Sequence, residues 1–318
     1  MKVLFPFFLI ALLSSCTLES DSCHLSFVTH NAYCFFDGSY LGNEYEGFDP
    51  KSGYDLKCYE QRVKDYAEFM INSFSGYDVI LLQEIEGSNV LLDLLDAGLK
   101  RKGYLYYGAA SLSDGYLSVG FISKLKPEDV VLHGTEGSRR ILELVFNING
   151  ELIHLVNVHL SSRLAAENES KRHEELSLLL SIIEQREGNL VVVMGDFNVD
   201  LKKGDSCIAL KGSLESLSSP IVLTGDGGEC GKNVCYSPAV DKMESLGEGT
   251  YFHEGKWSFI DSALITGEAF DWHGLEYHSS RIVAPGSAKD GYGFPKRFNA
   301  KDGSGFSDHF AFGLEFVF

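Results

Sequence analysis

Asn149-Gly150 stands between two apolar-rich runs, 141–147 and 151–159, and it constrains the fold more than any other feature of the chain. Asn and Gly accept the positive φ angles of a tight two-residue turn, so the two runs are expected to pair as an antiparallel hairpin. Around that hairpin, helical and strand patterns mix without regular alternation. Val63, Tyr66, Ala67, Met70, Ile71 and Phe74 recur at helical spacing over 59–74, and Gly76 closes that helix. The run 78–83 has a continuously apolar centre, 79–82, as in a strand buried on both faces, and it ends at Glu84. A second helix is expected over 89–102, then strands over 104–108 and 117–123. Leu176, Leu179, Leu180 and Ile183 mark a further helix before a strand at 189–194. Other strands fall at 25–29, at 257–265, and in the terminal stretch where Phe310, Phe312, Leu314, Phe316 and Phe318 alternate.

This order argues against a doubly wound parallel sheet, which needs strands and helices in strict succession. It favours an α+β fold of two packed, mostly antiparallel sheets flanked by helices, with 25–318 as one domain. Two segments read as excursions from it. Residues 201–250 are irregular, acidic and glycine-rich, and 267–306 form a long loop carrying Lys289, Lys296, Arg297 and Lys301.

The N-terminus speaks to compartment. Lys2 precedes an apolar run at 3–13, too short to span a bilayer, as in a secretion signal. Leu13-Ser14-Ser15-Cys16 resembles a bacterial lipobox. The expectation is a signal peptide over 1–15, lipid on Cys16, and a tether over 16–24. The chain would then sit on the extracytoplasmic face of a bacterial membrane, periplasmic or at the surface; an ordinary cleaved signal is the alternative. Of seven cysteines, Cys23, Cys34, Cys58, Cys207, Cys230 and Cys235 would remain, and an oxidising compartment permits them to pair. Cys230 and Cys235 flank a short turn and are the easiest pair to close.

A formal net charge of −18 over 318 residues opposes tight nonspecific binding of polyanions. It leaves room for phosphate chemistry, because a divalent cation in a carboxylate-rich cleft reverses the field locally.

Polar residues able to hold such a cation or move a proton recur at strand ends. Asn31 follows one apolar run and Gln83-Glu84 another; His159 ends a third and Gly195-Asp196-Phe197-Asn198 a fourth. Asp261 lies within a fifth, and Ser307-Asp308-His309 precedes the last. Each alone is explained by a cap or turn. Six such positions, all of hydrolytic residue types, point to a site built on a rigid scaffold.

In these stretches the chain resembles the endonuclease/exonuclease/phosphatase superfamily. The matching segments are Thr29-His30-Asn31 with Phe36-Asp37, Val79 through Glu84, Val156 through Leu160 with Ser162-Arg163, Met194 through Asn198, Gly249-Thr250-Tyr251 leading to Ile260-Asp261, and Ser307-Asp308-His309. The resemblance implies a four-layer α/β/β/α sandwich and divalent-metal-dependent hydrolysis of phosphodiesters with Mg²⁺, or Mn²⁺ or Ca²⁺. It implies Glu84 as the main metal carboxylate, supported by Asn31 and Asp308. His309 would be base or electrophile, oriented by Asp261, with Asp196 positioning or deprotonating water. Asn198 and His159 would contact the phosphate, and Arg139 would clamp it, with Arg140 the competing choice. His30 departs from the family, which often has an aromatic residue there.

Three functions are open at this point. One is a nuclease on extracytoplasmic nucleic acid. A second is a phosphoesterase on lipid or small-molecule phosphates, of the sphingomyelinase or inositol-phosphatase kind, placed beside its substrate by a lipid anchor. The third is a non-catalytic surface lipoprotein, against which the complete residue set argues.

Overall fold

The computed structural model describes residues 24–110, 117–134, 140–162, 168–201, 221–241 and 246–318. Its first half holds β1 (His24–Phe35), α1 (Leu56–Phe74), β2 (Val79–Ile85), α2 (Ser88–Ala97), β3 (Tyr106–Ala109), β4 (Ser118–Ser123), β5 (Asp129–His133), β6 (Ile141–Ile148) and β7 (Glu151–His159). Then follow α3 (Asn168–Gln185), β8 (Leu190–Asp196), β9 (Val222–Thr224), β10 (Val234–Tyr236), α4 (Pro238–Asp241), β11 (Tyr251–His253), β12 (Lys256–Ser258), β13 (Asp261–Ile265), β14 (Glu276–Val283) and β15 (Ala311–Val317). One sheet runs β14-β15-β1-β2-β4-β3 and the other β5-β6-β7-β8-β13-β10-β9, with β11 and β12 as a separate ribbon. Both sheets are mostly antiparallel; β1 with β2, β7 with β8 and β9 with β10 are the parallel pairs.

Strand parity sorts the apolar side chains into three layers, because successive residues of a strand face opposite sides. Leu25 and Phe27 of β1, Val79 and Leu81 of β2, Leu190, Val192 and Met194 of β8, and Phe312, Leu314 and Phe316 of β15 share one cluster between the sheets. Their neighbours Val28, Ala32, Ile80 and Leu82 face outward and pack on Val63, Tyr66 and Met70 of α1 and Leu91 and Leu94 of α2. On the opposite side Val156, Val158, Val191 and Val193 pack on Leu176, Leu179 and Ile183 of α3. The result is the expected α/β/β/α sandwich. Each fully buried Phe or Leu contributes roughly 1.5–3 kcal/mol.

The hairpin forms as the dipeptide requires. Asn149 and Gly150 adopt φ of 56° and 95°, and Ile148 pairs with Glu151.

Elsewhere the structure corrects the sequence reading. Strand β1 does not stop at His30-Asn31 but bulges and continues to Phe35. The second helix ends at Ala97, and Gly98 separates it from a single 3₁₀ turn at Leu99–Lys102. The stretch 257–265 divides into two strands. The excursion 201–250 contributes β9 and β10 to the second sheet, and 267–306 contains β14, an edge strand whose residues are mostly half-exposed. The edge strand β5 also lacked a sequence signal, since both its faces are largely open. Cys34, Cys58, Cys230 and Cys235 are free thiols. Cys230 packs toward the layer between the sheets whereas Cys235 packs under α3, so the short turn does not bring them into a bond. Among the described residues no helix is long and apolar enough to cross a membrane. Cys16, Cys23 and Cys207 lie outside those residues.

A buried ionic cluster fastens α3 to the second sheet. Glu143 of β6 is fully buried on the outer face and accepts from His133 Nε2 and His154 Nδ1, each at 2.6 Å, and from Arg186 Nε at 2.8 Å and Nη2 at 3.1 Å. Burial alone would raise its pKa, but these donors together hold the carboxyl far below its ordinary 4.5. A depressed folded-state pKa means that the stabilisation is complete above about pH 4.5 and is lost as pH falls below it. Glu143→Gln should therefore lower the urea midpoint at pH 7 by the equivalent of about 3–5 kcal/mol. It should also flatten the acid limb of stability below pH 4.5; an unchanged acid limb would refute this role.

Candidate active site

The parity that fills the inter-sheet core with apolar residues continues, at one end of the strands, into polar ones. Thr29 and Asn31 follow Phe27, Gln83 follows Leu81, Asn157 and His159 follow Leu155, and Asp196 follows Met194. Because β1 and β2 are parallel, Asn31 lies beside Gln83. Because β7 and β8 are parallel, His159 lies beside Asp196, and antiparallel β13 begins with Asp261 against the same Asp196. Register thus gathers the polar residues within each sheet, and the packing of the two sheets brings the two sets together.

The floor of this hollow is a buried amide layer. Gln83 Nε2 donates to Thr29 Oγ1 at 2.8 Å and across to Asn157 Oδ1 at 2.6 Å, while Asn157 Nδ2 donates to the Leu82 and Gly120 carbonyls at 3.1 and 2.9 Å. Side chains of both sheets are thereby locked to each other below the site.

Above the floor the backbone leaves regular geometry. Tyr33, Cys34 and Glu84 have φ of 53°, 48° and 57° where the ladders β1–β2 and β2–β4 shift register. Left-handed backbone at non-glycine residues costs of order 1–3 kcal/mol each and concentrates at functional sites. The bulge aims Glu84 into the hollow, where Oε2 accepts from Cys34 N at 2.8 Å and Oε1 from Asn31 Nδ2 at 3.1 Å. Asn31 also donates to Asp196 Oδ2 at 3.1 Å, and its Oδ1 accepts from Tyr33 N at 3.0 Å. In this orientation Asn31 presents its amide NH₂ to the carboxylates and holds both in place.

Gly195 is required by close approach. With φ of 143°, a Cβ there would stand 2.0 Å from the Val158 carbonyl oxygen. After it Asp196 turns inward, and Asn198 (φ 49°) bonds back through its N–H to Asp196 Oδ1 at 2.8 Å and through Nδ2 to the Leu160 carbonyl at 2.9 Å. Helix α3 braces both loops from behind. Arg172 donates to the carbonyls of Ser161 and Phe197 at 2.8 and 2.9 Å, and Glu175 accepts the Ser161 N–H and hydroxyl at 2.7 Å each.

His309 completes the hollow. Its Nδ1–H donates to Asp261 Oδ2 at 2.8 Å and its Nε2 stands 3.7 Å from Asp308 Oδ1. Ser307 Oγ accepts from His309 N at 3.0 Å and donates to the Asn31 carbonyl at 2.7 Å, tying the C-terminal segment to β1. Behind it lies His30. The Tyr66 hydroxyl donates to His30 Nδ1 at 2.6 Å, and Nε2–H donates to the His309 carbonyl at 3.3 Å. Burial lowers the His30 pKa to about 4, so it is a neutral packing group. Tyr251 covers the other side, its ring centroid 4.7 Å from that of His309.

The electrostatics follow from crowding carboxylates in a buried space. Burial, and then the Asp261 carboxylate, push the Asp196 carboxyl up to about 7. Burial also raises Asp308, with Glu84 adding to it. For His309 burial alone would favour the neutral ring, but the charge and hydrogen bond of Asp261 carry its pKa well above 6.5. His159 Nε2 lies 3.5 Å from Asp196 Oδ2 and 3.8 Å from Glu84 Oε1.

The structure therefore joins Asn31, Glu84, His159, Asp196, Asn198, Asp261, Asp308 and His309 into one constellation. It does not join Asp37, whose N–H donates to Glu86 and whose carboxylate accepts the Ser39 N–H. Arg139 lies outside the described residues, and Arg140 is half-buried at the entry to β6. Sequence reasoning passed over Arg172 and Glu175, though two charges three apart on the apolar face of α3 are a usable signal. It also passed over Arg62, which braces the β1 bulge.

The residue set fits a divalent cation. Asp308 Oδ1 and Asp261 Oδ1 are buried without a hydrogen-bond partner, and four carboxylates face a single cationic imidazole. Oxygen donors in excess of positive charge are what a hard cation takes. Asp196, Asp261 and His309 each place one ligand atom within 4.8 Å of the others.

Comparison with known proteins agrees with this geometry. No curated protein matches the sequence significantly. Among solved structures, humanized D. rerio TDP2 carrying 14 mutations superposes with a TM-score of 0.60 at 15% identity, covering 92% of this chain and 98% of that one. D. rerio TDP2 complexed with single-strand DNA product gives 0.58 at 15%, covering 92% and 98%. Mannosyl-6-phosphatase Bt3783 of Bacteroides thetaiotaomicron VPI-5482 gives 0.50 at 13%, covering 92% and 100%. At such identities the likeness establishes the fold. The model of the Endonuclease/Exonuclease/phosphatase family matches residues 28–287, and with most of its length so matched the chain belongs to that family.

Proposed function

We propose that this chain, a metal-dependent phosphoesterase by family, hydrolyses phosphodiester bonds of nucleic acid. The observation that carries the mechanism is the buried Asp261–His309 pair, 2.8 Å apart, set against Asp196. A divalent cation, held by Glu84 and Asp308 with Asn31 steadying the shell, would neutralise phosphoryl oxygens and support the leaving oxygen. Asp261 fixes the proton on His309 Nδ1 and keeps the ring cationic, so Nε2–H is a charged donor for a phosphoryl oxygen. Asp196, with its carboxyl near neutrality, accepts a proton from the attacking water. Asn198 and His159 donate to the remaining phosphate oxygens. The proposal includes export and lipid attachment at Cys16, on the sequence of the first sixteen residues, which places the substrate outside the cytoplasm.

The test is a panel of linear and supercoiled DNA, RNA, sphingomyelin, inositol phosphates and sugar phosphates, assayed with Mg²⁺, Mn²⁺, Ca²⁺ and a chelator. Chelator-sensitive cleavage of DNA or RNA is expected. Turnover confined to sugar or lipid phosphates would replace the substrate class and leave the mechanism standing. Glu84→Gln should weaken metal affinity by about 10–100-fold, read by metal titration, with little change in melting temperature.

A further inference from the structure

A cavity of about 510 Å³ opens beside the catalytic hollow, lined among others by Tyr33, Glu46, Phe48, Arg297, Phe298 and Lys301. Tyr33 is the wall between the two spaces. Its N–H holds Asn31, and the next residue, Cys34, holds Glu84. On the cavity side the Arg297 guanidinium lies 5.6 Å from the Tyr33 ring centroid. No carboxylate among the described residues pairs with Arg297 or Lys301, although the chain carries 45 acidic residues against 27 basic ones.

The platform is rigid. Phe298 is buried, with the Arg62 guanidinium 4.0 Å from its ring centroid, which anchors the chain between Arg297 and Asn299. Asn299 N donates to Ser304 O at 2.9 Å, Phe306 N to Lys296 O at 2.8 Å, and Asn299 Oδ1 accepts from Lys301 N at 3.0 Å. Arg297, over the Tyr33 ring, and the exposed Lys301 both line this cavity on a braced backbone and present positive charge to an anion beside the hollow.

We propose that this cavity is a second-phosphate subsite: Arg297 and Lys301 bind a phosphate group neighbouring the one cleaved, and the Tyr33 ring supports the sugar or base that links them. The inference rests on the phosphodiesterase reading above and narrows it to substrates with at least two phosphates. The second phosphate belongs either to a nucleic-acid strand or to a polyphosphorylated inositol, and the arms of the test separate these.

Calorimetric titration of the full chain in Mg²⁺ compares thymidine 3′,5′-bisphosphate, thymidine 5′-monophosphate and inositol 1,4-bisphosphate. The thymidine bisphosphate is expected to bind about 10-fold or more tightly than the monophosphate, as for one added charge-assisted contact. Arg297→Ala combined with Lys301→Ala should erase that ratio while leaving monophosphate affinity and melting temperature unchanged. In turnover, the double variant should raise KM for oligothymidylate with kcat retained, and should leave bis(p-nitrophenyl) phosphate hydrolysis unaltered. Equal affinity for mono- and bisphosphate in the wild type overturns the subsite, and so does equal loss on both turnover substrates. A preference for the inositol bisphosphate assigns the phosphate to that source instead of a strand. A bisphosphate preference without cleavage of any oligonucleotide sinks the nuclease reading and leaves the subsite intact.

Discussion

Replacing His309 with alanine is expected to lower kcat by a factor of about 10² or more, with a smaller change in KM. The ring is buried, its Nδ1–H is committed to Asp261, and Nε2 is the atom left to face a substrate. A methyl group in its place removes the charged donor from the phosphoryl oxygen in the transition state, where such contacts are worth most. It also strands the Asp261 carboxylate, whose other oxygen already lacks a partner, so some loss of stability accompanies the loss of rate. His309→Gln separates the two effects. An amide at that position retains a donor toward Asp261 but carries no charge, so it should restore the melting temperature and not the rate. If His309→Gln kept wild-type kcat, the cationic imidazole would have no place in the mechanism. Asp261→Asn should mimic the kinetic defect, since an amide cannot hold the ring protonated.

How far the sequence disclosed this arrangement depended on whether a residue obeys local periodicity. Alternation in 312–316 announces which side chains face the core, whereas 190–194 is apolar throughout because both its faces are buried, and its polar end at Asp196 is what marks the site. The Asn149-Gly150 turn fixed the β6–β7 register, and with it the height at which His159 emerges. Glu84 was legible as a polar end to an apolar run, but the left-handed bulge that aims it was not. No glycine marks it, and the strain is carried by contacts from distant segments. Edge strands β5 and β14 escaped because strands half-exposed on both faces carry no alternation. Buried charges escaped for a different reason. Arg62 sits on a helix where a guanidinium normally marks the solvated side, and only the tertiary structure shows carbonyl groups waiting for it.

Arg62 yields the other large effect. From α1 its guanidinium donates to the carbonyls of Ala32, Tyr33 and Cys34 at 3.1, 2.5 and 2.9 Å, the three residues that form the bulge beneath Glu84. Its carbon atom lies 4.2 Å from the Phe35 ring centroid and 4.0 Å from that of Phe298, and the residue is 3% exposed. Among the described residues no carboxylate answers this charge; carbonyl dipoles and aromatic faces do. Arg62→Met keeps the length and loses every donor. The Ala32 and Tyr33 carbonyls lose their partner at about 1–3 kcal/mol each, less what relaxation recovers, while the Cys34 carbonyl keeps the Phe36 N–H at 3.0 Å, so a loss of roughly 2–5 kcal/mol in urea unfolding is expected. Arg62→Lys should fall between, because an ammonium reaches one or two of the carbonyls but cannot span all three in a plane. The bulge positions the Cys34 N–H that holds Glu84, so metal titration of the folded variant should show weakened affinity before any melting is detected. A variant as stable as the wild type would refute the buried-guanidinium brace. Lost stability with unchanged metal affinity would instead detach Arg62 from the site, leaving the left-handed turn at Tyr33 and Cys34 supported by the β1–β2 ladder alone.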